Sequence, residues 1–204
     1  LPTTTLFRSG LMVHQRTGAR LARVQGRLAT SPAWTAVEVV RQLRRPRALA
    51  TLDAALRSKR CTRAEIQTAI AEQRGRRGIV AVRELLPFAD GRAESAMESE
   101  ARLVMIDRGV PLPELQYPIH GYDGEVWRVD FAWPAARVAA EYESIDWHAG
   151  RNEMLRDKKR WSKIQELGWT IIPIVVDDVR SEPDGLANRI LNHQIGRASW
   201  RERV

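Results

Sequence analysis

Three carboxylates, Asp130, Glu141 and Glu143, fall on two short strand-like runs joined by a tight turn, with Trp147-His148 just beyond. Val129, Phe131 and Trp133 alternate with Arg128, Asp130 and Ala132, the period of a strand with one buried face. After Pro134, Val138, Ala140 and Tyr142 alternate in the same way with Ala139, Glu141 and Glu143. An antiparallel hairpin with Ala135-Ala136 as a two-residue loop sets Asp130 opposite Glu141 and Arg128 opposite Glu143. Directly opposed residues have Cβ atoms about 4.5–5.5 Å apart, and like charges there destabilise a plain sheet. Such a pair calls for a cation, a shared proton or a strong donor between its members, which makes it a candidate metal site. The plainer reading is a solvated sheet face on which Arg128 neutralises a neighbour. Register decides between them, because a one-residue change of loop turns one strand's acids to the other face.

The elements around the hairpin place it in an α/β setting. Ser95-Ala-Met-Glu98 opens a helix that runs to Gly109, where glycine supplies the stop. A strand near Gln116–His120 follows, then Asp123-Gly124 as a hairpin turn, then the two acidic strands. Arg151 to Leu167 is a charged helix ending at Gly168. Thr170–Val176 is a mainly β-branched apolar run, expected to be a buried strand, although Pro173 removes a ladder donor and favours an edge. A last helix spans roughly Asp184 to His193. The order of helix, three strands, helix, strand and helix implies a mixed four-stranded sheet flanked by helices, an α/β (α+β) domain.

The first ninety residues have another texture. Leu11 to Val13 and Leu21 to Val24 suit short strands. Ser31-Pro32 is an N-cap followed by proline at the first helical position, Pro46 opens a second helix, and Thr62-Arg-Ala-Glu65 is a capping box. Arg74 to Gly78 is a basic, glycine-bearing break before a short helix through Leu86. Clusters such as Arg41 to Arg47 and Arg74 to Arg77 suit phosphates as well as solvated helix ends. A smaller, mainly helical domain over residues 1–90 therefore precedes the sheet domain over 91–194, joined near Ala89-Asp90-Gly91-Arg92.

Lysine and arginine outnumber the acids 33 to 25, a net charge of +8 and a pI near 10.5, which favours a polyanionic partner, most simply DNA. The single cysteine, Cys61, excludes an internal disulfide and fits a reducing compartment. No apolar run spans a membrane and no signal peptide is visible, so a cytoplasmic protein is expected. The chain starts at Leu1, so the expectation is a start lost upstream. Residues 195–204 read as translated adapter sequence, an expected non-native tail. They hold three arginines and one glutamate, so without them the charge is still +6.

Five pieces in order resemble the restriction-endonuclease-like superfamily with its PD-(D/E)xK pattern, and more narrowly the very-short-patch-repair-like (Vsr-like) nucleases of domain of unknown function 559. They are Ser95 to Glu98, Val129 to Pro134, Glu141 to His148, Asp157-Lys-Lys-Arg160 and Leu167-Gly-Trp169. Residues 10–90, with Thr30-Ser-Pro-Ala-Trp-Thr35, resemble the helical region of AbiEi-like antitoxins of bacterial type IV toxin–antitoxin systems. In those proteins a winged helix usually comes first.

The resemblance implies a metal-dependent endonuclease in which Asp130 and Glu141 hold Mg²⁺, or Mn²⁺, to polarise a phosphate and activate water. Glu98 is implied as a further ligand, although Ser95-x-x-Glu98 is equally a plain capping box. Glu143 stands where the superfamily carries lysine, and a carboxylate cannot supply that positive charge. His148 is then the candidate acid/base or phosphate donor, and Lys158, Lys159 or Arg160 the candidate cation. With Arg128, these three also make up the expected DNA contacts, and Trp147 is either a base-stacking wedge or core. A second reading is an AbiEi-type DNA-binding regulator whose nuclease fold is weak or inactive; a third is a protein that binds only a toxin or repair partner.

Overall fold

The computed structural model describes residues 18–19, 21–144 and 151–201, and only the backbone of 22, 151–154 and 195–201. The expected strand at 11–13 lies outside the described residues. Strands β1 (Leu21–Val24) and β2 (Arg27–Thr30) form an antiparallel pair, followed by helices α1 (Pro32–Val40), α2 (Arg45–Arg57), α3 (Arg63–Glu72) and α4 (Ile79–Leu85). The caps form as the residue types dictate. Ser31 accepts from Trp34 N ahead of Pro32, and Thr62 with Glu65 completes a reciprocal capping box. Gly78 is needed where it stands: its φ is 84°, and a Cβ there would meet Arg41 O at 2.2 Å. Trp34, Val37, Leu49, Leu52, Ile66 and Leu85 are the buried centre of this helical half.

The second half runs α5 (Ala96–Asp107), β3 (Glu114–His120), β4 (Val126–Trp133), β5 (Val138–Tyr142), α6 (Arg151–Glu166), β6 (Thr170–Ile174), α7 (Val176–Arg180) and α8 (Pro183–Arg201). The sheet order is β3-β4-β5-β6, antiparallel except for the parallel β5–β6 pair, so the expected mixed four-stranded sheet is present. Its two faces are both covered. Phe131, Trp133, Val138, Ala140, Ile172 and Ile174 pack with α5, α7 and α8, whereas Val129, Ala132, Ala139 and Ile171 pack with Ile164 of α6. Pro173 sits on β6, an edge strand of this sheet, where a missing donor is tolerated.

Two expectations differ from the structure. The apolar run after Gly168 does not stay extended to Val176. It stops at Ile174, and Asp178 accepts from Val175 N at 2.9 Å to start α7. The hairpin register is as expected, with Trp133 opposite Val138 and Phe131 opposite Ala140, but the connection is longer than Ala135-Ala136. It is a 3-10 turn over Pro134–Ala136 closed by Arg137 in the left-handed region, φ 50°. Proline at the start of the turn fixes φ and favours this tight turn over a two-residue loop.

Helix α5 serves both halves. Leu103 joins the core of the helical half, whereas Ala101 and Met105 join the sheet core. Arg102 pairs at 2.6 Å with Asp53 of α2, which is wholly buried, and Arg45 pairs at 2.6 Å with Asp107. The chain thus ties its helical half to the element that carries Glu98.

Candidate functional site

The acidic hairpin is irregular at the residue where chemistry was expected. Leu115 pairs with Phe131 and Tyr117 with Val129, but Gln116 and Asp130 between them are not a ladder pair. Gln116 has φ 54°, a conformation that costs a non-glycine residue on the order of 1 kcal/mol. The pleat breaks there, so Val129 packs on the α6 side with Ala132 and not with Phe131 and Trp133 as strict alternation requires. The β4–β5 ladder also ends beside it, at Phe131 and Ala140. Beyond that point Asp130 Oδ2 accepts the Tyr142 N–H at 2.9 Å, a carboxylate taking the place of a strand carbonyl.

Glu141, next along β5, is 12% exposed at its side chain and meets a guanidinium. Arg160 of α6 donates Nη1 to Glu141 Oε2 at 2.9 Å and Nη2 to Oε1, and the same Nη2 donates to Arg128 O at 2.8 Å. Trp161 Nε1 adds a third donor to Oε2 at 3.1 Å. Glu98, at 7% exposure, accepts from Glu94 N at 2.8 Å and from Gln116 Nε2 at 2.9 Å. Only half of the expected capping box forms: Ser95 accepts from Glu98 N at 3.0 Å, while the Glu98 carboxylate turns back to Glu94.

These surroundings set the charges. Burial raises the Asp130 carboxyl to about 6, with Glu98 and Glu141 adding like charge, while the Tyr142 N–H and the Gln116 amide oppose the rise. Partial desolvation raises the Glu143 carboxyl as well, helped by like charge on Glu141 and Asp157. The hydrogen bonds to Glu141 hold the Arg160 guanidinium above its ordinary value despite burial.

A hard divalent ion requires several free carboxylate oxygens in near-octahedral order. Here both Glu141 oxygens are engaged by Arg160, and Glu98 and Asp130 are spent partly on backbone donors. Among the described residues no three acidic, histidine or cysteine side chains are grouped as around a metal. As folded, the cluster does not fit Mg²⁺ or Mn²⁺.

The structure brings Glu98, Asp130, Glu141 and Arg160 together. Glu143 is exposed and outside this hydrogen-bonded set, its N–H going to Ile174 O at 2.8 Å. Arg128 pairs with Glu94 at 2.7 Å, not with Glu143 as the strand register suggested. Lys158 and Lys159 are exposed on α6. Trp147 and His148 lie outside the described residues. Gln116 and Trp161 went unforeseen: the left-handed bend and the helix face that bring them in have no periodic signature, although Trp161 adjoins a residue already singled out.

The chain joins a helical unit, through the shared helix α5, to a mixed sheet that carries an acidic cluster holding Arg160. Residues 1–88 match the family model of the AbiEi antitoxin C-terminal domain. The chain is 82% identical over 184 residues to two uncharacterised proteins of Mycobacterium tuberculosis, MT2308 of strain CDC 1551 / Oshkosh and Rv2248 of strain H37Rv. Each alignment covers 90% of this chain and 68% of the relative, and the chain belongs to their family. No solved structure matches. Among the described residues no helix is long and apolar enough to cross a membrane.

Proposed function

We propose that the protein is a DNA-binding regulator of the AbiEi antitoxin type, acting in the cytoplasm, with DNA and a cognate toxin as its partners. The observation that carries this reading is the family-model match over residues 1–88. The charge of +8 supports it, as does an acidic cluster whose cation position is already filled by Arg160. In this reading residues 1–90 form the AbiEi-like unit and 91–194 a nuclease-like unit kept for binding. Duplex binding is then set by phosphate contacts, and affinity falls about 100-fold between about 50 and 200 mM salt if about four phosphates are neutralised. Fluorescence anisotropy on a labelled duplex measures this, and affinity indifferent to salt contradicts it.

A Vsr-like, metal-dependent endonuclease is the second reading, favoured by the convergence of Glu98, Asp130 and Glu141 on one sheet end. It needs Glu141 to give up Arg160. It predicts plasmid nicking in Mg²⁺ that Asp130→Ala and Glu141→Ala abolish, and equal nicking by those variants rules the site out.

A further inference from the structure

We infer that Arg160 is the resident counter-cation of the Glu98, Asp130 and Glu141 cluster, so that guanidinium and divalent ion exclude one another at Glu141. Arg160 meets Glu141 as a two-pronged fork, the geometry in which arginine binds a carboxylate most strongly. Its Nη2 is held from a second side by Arg128 O at 2.8 Å, so the side chain is fixed against β4 as well as β5. Trp161 Nε1 takes a further lone pair of Glu141 Oε2 at 3.1 Å. The Arg160 side chain is 26% exposed and that of Glu141 12%, which shields the pair from water. An ion approaching Glu141 would have to displace these donors and sit against a like charge.

Glu143, one residue past β5, brings no positive charge, and the cation reaches the cluster from α6. The pairing does not depend on the regulator reading, and it stands against the nuclease reading, which needs Glu141 to release Arg160.

Melting curves and calorimetric titration with MnCl₂ on the full chain test it, using wild type, R160Q, R160K and the double variant R160Q/E141Q. Wild type should give no saturable binding, and its Tm should move by less than about 1 °C with Mn²⁺. R160Q should melt lower, and Mn²⁺ should then raise its Tm by several degrees, a response that loss of packing alone would not create. R160K, which keeps the charge without the fork, should respond between the two. R160Q/E141Q should recover much of the lost Tm, because both charges leave together, and ignore Mn²⁺. Stoichiometric Mn²⁺ binding by wild type overturns the inference. So does an R160Q protein whose melting ignores Mn²⁺ or, if R160Q does not fold, an R160K protein that responds no more than wild type.

Discussion

Asp130 carries a proton affinity out of keeping with a surface carboxylate, and this has a measurable consequence. Its carboxyl is raised from 3.8 to about 6, first by burial and then by Glu98 and Glu141. A carboxyl with a raised folded-state pKa binds its proton more tightly when folded, so its contribution favours folding at low pH. That contribution is lost as pH climbs from about 4 to about 6 and is absent above. Asp130→Asn removes the ionising group yet keeps an acceptor for the Tyr142 N–H. The variant should be more stable than wild type by about 1–2 kcal/mol near neutral pH, with the gap closing as pH falls towards about 4. Denaturant melts across that range give the answer, and a gap independent of pH would show that Asp130 is not the titrating group. The placing of Asp130 and Glu141 on adjoining strands was legible because the register through Trp133 and Val138 follows alternation locally, although the turn is longer and the ladder stops at Phe131 and Ala140. Gln116 was not, because nothing in its neighbours announces a left-handed residue within a strand.

The helices and strands followed their local signals closely. Ser31-Pro32, Thr62 with Glu65, and Ser95 each cap the helix that their residue types indicate. What the sequence could not reveal are pairings between distant elements. Arg102 and Asp53 are 49 residues apart and form a buried pair, with Asp53 also accepting from Asp90 N at 2.7 Å. Removing one partner of such a pair strands a charge in the interior. Arg102→Ala should therefore cost about 3–5 kcal/mol, and Arg102→Met with Asp53→Leu should regain part of it. Denaturant melts of the single and double variants compare the two, and a single variant within about 1 kcal/mol of wild type would mean that water reaches Asp53. Because Leu103 packs in one core while Ala101 and Met105 pack in the other, damage at this joint is expected to reach both halves.

At the scale of the whole molecule, the excess of positive charge has to be separated from the charge already used. Arg41, Arg45, Arg47 and Arg76 are engaged with carboxylates, so both basic clusters that suggested phosphate binding are in part structural, as are Arg102 and Arg160. Lys158 and Lys159 remain exposed and have no ion pair among the described residues. Lys158→Glu with Lys159→Glu should weaken duplex binding about ten-fold or more at low salt and make its salt dependence shallower, while leaving the melting temperature close to that of wild type. Unchanged affinity would place the DNA surface elsewhere, on the helical half. DNA binding without turnover is checked by incubating the protein with labelled duplex at stepped salt concentrations, with and without Mg²⁺. Binding and cleavage are then read on the same samples. Steeply salt-dependent binding with intact DNA in every lane is the expected result. Mg²⁺-dependent cutting that Asp130→Ala abolishes would contradict it.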